Sequence, residues 1–221
     1  MERRKRLTAA VALNICICIL EIIGMIPLAF ENGIGFLKYY TNDSNLLALA
    51  GGILFAIAGI RCLKNGEAGI PVWVRIIRYL ATVCLTVTFL VVVFALAPSG
   101  EKGGYREMLL EGSMLYVHFL CPVLSLISFL LFENYSDVRP SFFLLSAIPT
   151  VLYALVSVPL NICRVWTGPY FFLLVYEQSV FESVLWGIGL IAGTLIIGWL
   201  LLWGNRKIQS MWDRHVPDEE R

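Results

Sequence analysis

Six long apolar runs limit what this sequence can fold into. Each holds about 18 to 26 residues, against the roughly 20 that a helix needs to cross the hydrocarbon core of a bilayer. The runs are Leu7–Ala29, Asn45–Leu63, Val72–Ala97, Ser113–Phe132, Ser141–Leu160 and Val180–Trp203. They use most of the chain and leave no room for a separate soluble domain. The sequence therefore predicts an all-α polytopic membrane protein, a single integral membrane domain of six transmembrane helices over residues 1–221.

Composition agrees with this prediction. The 221 residues are 58% hydrophobic and 15% charged, whereas soluble domains carry about 25% charged residues. The net charge of +1 gives no argument for binding nucleic acid. The expected partner is the membrane itself, and the oligomeric state stays open.

The basic residues predict the orientation of the spans. With the N-terminus inside, thirteen of the 17 lysines and arginines fall in inner segments. The outer segments hold only Lys38, Lys102, Arg106 and Arg164. Inner connections are enriched in Lys and Arg, so both termini are expected in the cytoplasm. We expect the inner Arg75, Arg78 and Arg139 to serve orientation and anionic headgroups only.

The first apolar run follows a basic cluster, as the apolar region of a signal peptide does. It is too long for such a region, however, and it lacks a cleavage site of small residues. We expect it to be a retained anchor.

Cysteine and histidine usage predicts neither disulfides nor a metal. Of the six cysteines, only Cys163 falls clearly on the outer side, so no external disulfide framework is available. No spacing is typical of a zinc site, and the chain has only two histidines, His118 and His215. No metal or other cofactor is expected.

A polar stretch at residues 41–45, Thr-Asn-Asp-Ser-Asn, follows Tyr39 and Tyr40 and opens into the second apolar run. Such residues cap helix N-termini by accepting bonds from first-turn N–H groups, and tyrosines suit the membrane–water interface. The stretch predicts a capped helix that enters a bilayer. A second interpretation is that the hydroxyl of Thr41 or Ser44 also does chemistry, which requires partners from elsewhere in the chain.

Three further features provide candidate partners. Asn14 and Glu21 lie seven residues apart on one face of the first span, and an intramembrane carboxylate normally faces the bundle interior or a wet cavity. His118 lies about 8 Å inside the outer end of the fourth span, and Pro122 removes the backbone bond to the His118 carbonyl and predicts a kink. The segment Val165–Tyr176 is too aromatic for a solvated loop, so we expect it in the interface or folded back into the bundle.

The predicted topology brings the polar stretch, His118 and the aromatic segment to one outer level. A hydroxyl becomes a useful nucleophile when a neighbouring base takes its proton. The N-terminus of the second helix offers N–H groups to a developing oxyanion. These are the elements of a hydrolytic site for a lipid-like substrate, with the aromatic segment covering an acyl chain.

The same residues carry a resemblance. Leu37–Thr41, His118 with Pro122, and Trp166–Phe171 resemble the androgen-induced and androgen-dependent-TFPI-regulating membrane proteins. Those are six-pass threonine hydrolases that cleave fatty acid esters of hydroxy fatty acids. The chain also looks like uncharacterised six-pass membrane proteins of Gram-positive bacteria that share Tyr-Tyr-Thr-x-Asp-Ser-Asn. The resemblance implies that Thr41 is the nucleophile and His118 the base, in a bacterial plasma membrane.

The resulting hypothesis is an intramembrane hydrolase of lipid esters, a serine/threonine-type esterase. Ser44 is the rival nucleophile to Thr41. Asp43 would orient His118, with Glu182 or Glu111 as substitutes. Substrate contacts are expected from Asn45, Glu21, Trp166 and Tyr170.

A function of another class stays open at this point. A small transporter or a lipid-binding protein without catalysis would use Glu21, Asn14 and His118 along a polar path, although no inverted repeat is visible. A structural or regulatory membrane protein without a ligand is the third alternative. An enzyme needs His118 within hydrogen-bond reach of a hydroxyl, whereas a transporter needs a polar track to the inner face.

Overall fold

The protein is a bundle of long helices. The computed structural model describes residues 2–66, 69–100 and 103–215, and within those ranges it contains helices and turns but no strand. Six of the helices are long and apolar enough to cross a membrane. They are α1 (Glu2–Asn32), α2 (Tyr40–Asn65), α3 (Val72–Ser99), α4 (Gly112–Phe132), α5 (Pro140–Ile162) and α6 (Val180–His215). The predicted all-helical architecture is confirmed, and each of the six apolar runs lies within one helix.

The connections divide the bundle into two ends. We call the end with residues 69–71 and 133–139, where α1 begins and α6 finishes, the terminal end. The distal end holds residues 33–39, 103–111 and 163–179. Contacts across each end agree with this division. Arg75 pairs with Asp137 at the terminal end, with Nη2 and Oδ2 2.7 Å apart, and at the distal end the Tyr153 hydroxyl donates to the Lys38 carbonyl over 2.7 Å.

Helix α3 lies at the centre of the bundle. Its buried residues Tyr79 and Val83 join Phe129, Tyr135 and Leu202 in one apolar cluster that includes residues of α6. Close packing elsewhere depends on small residues, because a side chain at Gly52 of α2 would meet the Cys18 sulfur of α1 at 2.7 Å. The core therefore places α3 inside the bundle, with α2 packed against α1 and α3.

A buried ion pair lies beside this core, towards the terminal end. Arg78 of α3 and Glu133, which follows α4, both have fully buried side chains, and Nε lies 3.2 Å from Oε1. The guanidinium also donates to the hydroxyls of Thr82 and Ser125, each over 2.9 Å. A charge out of water is costly unless it is paired and hydrogen-bonded. The expectation that Arg78 faces lipid headgroups is therefore wrong, because its partners lie inside the protein.

The carboxylate of Glu133 gathers bonds from several elements. It accepts from Asn14 Nδ2 at 3.2 Å, from the Ser128 hydroxyl at 2.8 Å and from the Tyr135 hydroxyl at 3.1 Å. The Asn205 amide of α6 donates to the Glu133 main-chain carbonyl over 2.9 Å. The Glu133 carboxylate thus ties α1, α3 and α4 together near the terminal end, and its main-chain carbonyl adds α6.

Candidate functional site

The first turn of α2 is bonded differently from the sequence prediction. Tyr39 is the N-cap residue, and it makes no side-chain capping bond. The side chains of Ser44 and Asn45 donate to the Thr41 carbonyl, at 2.9 and 2.5 Å. The Thr41 N–H donates to the phenol oxygen of Tyr170 over 3.2 Å. The predicted capping by the polar stretch is therefore wrong, and a first-turn N–H is satisfied by an oxygen 129 residues away.

Tyr170 belongs to the aromatic segment before α6. Burial raises the pKa of Tyr170 to about 12, while hydrogen bonds with Thr41 act in the opposite direction. The phenol is therefore neutral at physiological pH. Its ring stacks on Phe172 with 5.1 Å between centroids, and both side chains are buried. Of the two positions expected for this segment, the interface or a fold back into the bundle, Tyr170 and Phe172 take the second, while Val165 and Tyr176 remain exposed.

A cavity of about 290 Å³ lies between α2 and α5 at the distal end, and we call it the Asp43 cavity. Its lining is mainly apolar and aromatic, and Asp43 is the one carboxylate among the lining residues. Leu152 and Val156 form part of its wall and are 58% and 56% exposed on the outward surface of α5. The cavity therefore lies directly behind the apolar surface of the bundle.

Three aromatic side chains of the Asp43 cavity, Tyr40, Tyr153 and Trp166, use their polar atoms within the protein. The Tyr153 hydroxyl donates to the Lys38 carbonyl, and the Trp166 indole N–H donates to the Ser157 carbonyl over 3.3 Å. The Tyr40 hydroxyl is hydrogen-bonded to a threonine hydroxyl of α5 at 3.0 Å. What these residues offer to the cavity is therefore ring surface.

Two polar groups of the Asp43 cavity have no partner among the residues that the structure describes. The Ser157 hydroxyl is buried, the residue being 4% exposed, and it lacks a hydrogen-bond partner among the described residues. The half-buried Asp43 carboxylate likewise makes no hydrogen bond or ion pair within the described part of the chain. Buried polar groups are normally hydrogen-bonded, so both groups are suited to a ligand.

A smaller cavity of about 110 Å³ adjoins the first, and we call it the Thr41 cavity. The two cavities share Tyr40, Tyr153 and Ser157 as lining residues. Thr41, 7% exposed, and Tyr170 line only the smaller one. The start of α2 therefore faces two adjoining cavities rather than one.

The structure brings together five of the eight predicted site residues. The residues that line one of the two cavities are Thr41, Asp43, Ser44, Trp166 and Tyr170. Ser44 is nevertheless engaged, because its hydroxyl lies 2.8 Å from that of Thr88 as well as donating to Thr41. Asn45, Glu21 and His118 line neither cavity.

His118 lies in a π-helical turn of α4, Leu115–Leu120, shortly before Pro122. The turn shows the expected local departure from α-helical bonding at the proline. The His118 Nδ1 lies 2.9 Å from the Met108 carbonyl. A carbonyl only accepts, so Nδ1 carries the proton, and Nε2 is the basic nitrogen of the neutral ring. The partner at Nδ1 is thus main chain and not the expected carboxylate of Asp43.

The two substitute carboxylates have local partners. Glu111 pairs with Arg106 at 2.7 Å. Glu182 accepts from both the N–H and the hydroxyl of Ser179, at 2.8 Å each. The ion pair with Arg106 and the hydrogen bonds with Ser179 account for the positions of these two carboxylates.

Glu21 and Asn14 lie in the bundle interior, as predicted, and both are fully buried. Asn14 takes part in the bonds around Glu133. Neither carboxyl oxygen of Glu21 has a hydrogen-bond partner among the described residues. Neither of these two side chains lines the Asp43 cavity or the smaller cavity beside it.

Sequence reasoning missed the contribution of α5. Thr150, Tyr153, Ser157 and Asn161 recur at intervals of three and four residues, which puts them on one helix face. That polar stripe in an otherwise apolar helix was the available signal. It supplies the wall opposite Asp43 and the unpaired Ser157 hydroxyl.

Comparison with known proteins gives no match to a family model, a curated protein or a solved structure. Any function must therefore be argued from the geometry of the two cavities.

Proposed function

We propose that this protein binds a lipid-like amphiphile in the two distal cavities, with the distal end at the outer face of a bacterial plasma membrane. The orientation is supported by the bias of basic residues towards the terminal end. Removing the buried Arg78 from the inner set still leaves twelve basic residues against four. Both termini are then cytoplasmic.

The observation that carries the proposal is the Asp43 cavity. Its volume of about 290 Å³ is at the lower edge of the range for ligand pockets. Apolar walls with a few polar groups are typical of such sites. Since Leu152 and Val156 separate it from the outward surface, an acyl chain can enter from the lipid while its polar part reaches Asp43 and Ser157.

A photolabelling experiment tests this binding. Phosphatidylethanolamine with a diazirine in its acyl chain is incorporated with the protein into nanodiscs and illuminated, and the labelled peptides are identified by mass spectrometry. We expect labelling of α5 near Ser157 to exceed labelling of the exposed face of α6. Ser157 lines both cavities, so the bulkier side chain of Ser157→Phe should obstruct them and reduce the α5 labelling several-fold.

Leu155→Phe is the matched control. Leu155 is on the same helix but is 65% exposed and lines neither cavity. It should leave the labelling unchanged. Equal labelling in Ser157→Phe and in the unchanged protein, with both folded, would show that lipid does not occupy the cavities.

Hydrolysis of a lipid ester is the second candidate, with Thr41 as nucleophile and His118 as base. One observation favours it: Thr41 lines the smaller cavity. His118 lines neither cavity, which counts against its role as the base. Ser44 is the weaker nucleophile, because its hydroxyl is bonded to both Thr41 and Thr88. The resemblance in the sequence points to the same pair.

A fluorophosphonate probe tests the enzyme. We expect labelling of Thr41 that is lost in Thr41→Ala and kept in Ser44→Ala. His118→Ala should slow labelling about 100-fold or more, because a general base contributes that much. Losses in Thr41→Ala and His118→Ala should not add, since residues that act as a unit are not additive. Labelling that survives in Thr41→Ala would exclude this nucleophile.

A further inference from the structure

We infer that the amphiphile bound in the Asp43 cavity carries a cationic amine, which Asp43 and Ser157 hold among aromatic rings. This inference rests on the proposed binding function and names the chemical class of the ligand.

The charge of the ligand follows from Asp43. Among the described residues, it is the one carboxylate that lines the cavity, and none of the described lysines or arginines lines it. Within the described part of the chain its carboxylate has no partner. A half-buried carboxylate in an apolar cavity is stabilised by an opposite charge brought in by the ligand. An anionic headgroup would place two like charges together.

The aromatic walls of the Asp43 cavity also favour a positively charged ligand. The hydroxyls of Tyr40 and Tyr153 are bonded within the protein, so these residues present ring surface to the cavity. Ring faces attract an ammonium group, and this attraction grows when the cation is out of water. The Lys38 ammonium lies 5.8 Å from the centre of the Trp166 ring. A protein cation therefore already uses one ring near this cavity. The rings of Tyr40 and Tyr153 pack edge to face with 5.3 Å between centroids, and both residues line the cavity.

Ser157 is the second, independent observation. Its hydroxyl is buried, lines both cavities and lacks a partner among the described residues. A hydroxyl oxygen accepts an N–H of a primary ammonium, and its proton remains for a nearby oxygen. Leaving a buried hydroxyl unpaired costs free energy. A ligand with an N–H donor removes this cost by giving the Ser157 oxygen a hydrogen bond.

Three probes with the same twelve-carbon alkyl chain separate the effect of the headgroup charge on binding from the effect of the alkyl chain. Dodecylamine, dodecanol and dodecanoate are added to the full-length protein in a neutral detergent, and bound molecules are counted by native mass spectrometry. An alkylamine is protonated at pH 7, as a lysine side chain is. We expect one dodecylammonium per chain, bound about tenfold tighter than dodecanol, since a partly buried charge pair supplies at least that much. Dodecanoate should bind most weakly.

Asp43→Asn should remove the preference for the amine while dodecanol still binds. Glu31→Gln is the control of equal charge change, because Glu31 is exposed near the distal end of α1 and lines neither cavity. It should keep the preference. Ser157→Ala should weaken dodecylammonium several-fold and leave dodecanol nearly unchanged. Thermal unfolding of each variant establishes that it is folded.

The outcomes distinguish the two proposals. Equal binding of the three probes, or a preference for the amine that survives in Asp43→Asn, would overturn the assignment of a cationic ligand while binding in the cavity stands. Loss of the preference in Glu31→Gln as well would show a general effect of surface charge and would also overturn it. If Ser157→Phe leaves the binding of all three probes unchanged, the cavity is not the site, and the proposed function itself fails.

Discussion

Arg75 and Arg78, two basic residues one helical turn apart on α3, have different partners. The side chain of Arg78 is fully buried against the equally buried Glu133, whereas Arg75, 12% exposed, pairs with Asp137, whose side chain is 63% exposed. Sequence position alone treats both as topology signals. The difference comes from neighbours on α4 and beyond, and residue type and depth do not reveal those neighbours.

The buried pair makes a sharp prediction about stability. Removing one partner of a buried ion pair leaves an uncompensated charge and costs about 3–5 kcal/mol. Arg78→Ala and Glu133→Gln should each lower the thermal unfolding temperature markedly in detergent. Arg75→Ala should change stability by about 1 kcal/mol or less, because exposed pairs contribute little. Equal effects of Arg75→Ala and Arg78→Ala would contradict the burial of the Arg78 network.

Tyr170 allows a second test at this scale. Tyr170→Phe keeps the ring but leaves the buried Thr41 N–H without its acceptor, which should cost about 1–3 kcal/mol. Tyr176→Phe is the matched control, since Tyr176 is 57% exposed and water can replace its bond. Thermal unfolding of the two variants compares them. A loss from Tyr176→Phe as large as that from Tyr170→Phe would argue against the long-range cap.

At the scale of the elements, the sequence predicts the existence of all six spans but not their ends. Helix α2 begins at Tyr40, five residues before the apolar run at Asn45. The polar residues of its first turn continue the helix because their side chains bond back to Thr41 and because Tyr170 serves the first N–H. That acceptor comes from a distant segment, so local propensity could not reveal it.

The candidate site, like the helices, could be predicted from the sequence only in part. Thr41, Asp43, Trp166 and Tyr170 were found from residue type and predicted level, and they do line the cavities. The wall from α5 depends on which helix packs beside α2, and periodicity alone does not specify a partner. His118 shares the distal level but lies apart from the cavity linings, because depth in a bundle does not fix the direction of a side chain.

Glycines on two helices should respond differently to substitution. A Cβ at Gly52 of α2 would meet the Cys18 sulfur of α1 at 2.7 Å, whereas a Cβ at Gly187 or Gly193 of α6 would meet no atom within 4 Å among the described residues. Gly52→Ala should therefore lower stability by about 1–3 kcal/mol through overpacking. Gly187→Ala and Gly193→Ala should be neutral or slightly stabilising, because Ala favours the helix by up to about 1 kcal/mol.

Thermal unfolding in detergent measures these three variants. A destabilised Gly187→Ala would mean that α6 packs closely against something at that position. A neutral Gly52→Ala would mean that α1 and α2 lie further apart than described.

At the scale of the whole molecule, the two ends differ in chemistry. The terminal end is held by the buried bonds of Arg78 and Glu133, which join four helices. The distal end has cavities, and there the Ser157 hydroxyl and the Asp43 carboxylate have no partner within the described part of the chain. A terminal end held by buried bonds and a distal end with cavities are consistent with the proposed binding of a ligand from one leaflet. Which leaflet that is depends on the orientation of the chain.

Cysteine labelling in intact cells decides the orientation. In a Cys163→Ser background, which removes the exposed native thiol of the distal end, single cysteines replace the exposed Glu177 and Ser136. A charged maleimide that does not cross membranes should label Glu177→Cys from outside, because the distal end faces out under the basic bias. Ser136→Cys, at the terminal end, should react only after the cells are lysed. The opposite pattern would move Asp43 and Ser157 to the inner leaflet: the cavities would still be the candidate binding site, but the ligand would have to be a cationic amphiphile of the cytoplasmic leaflet.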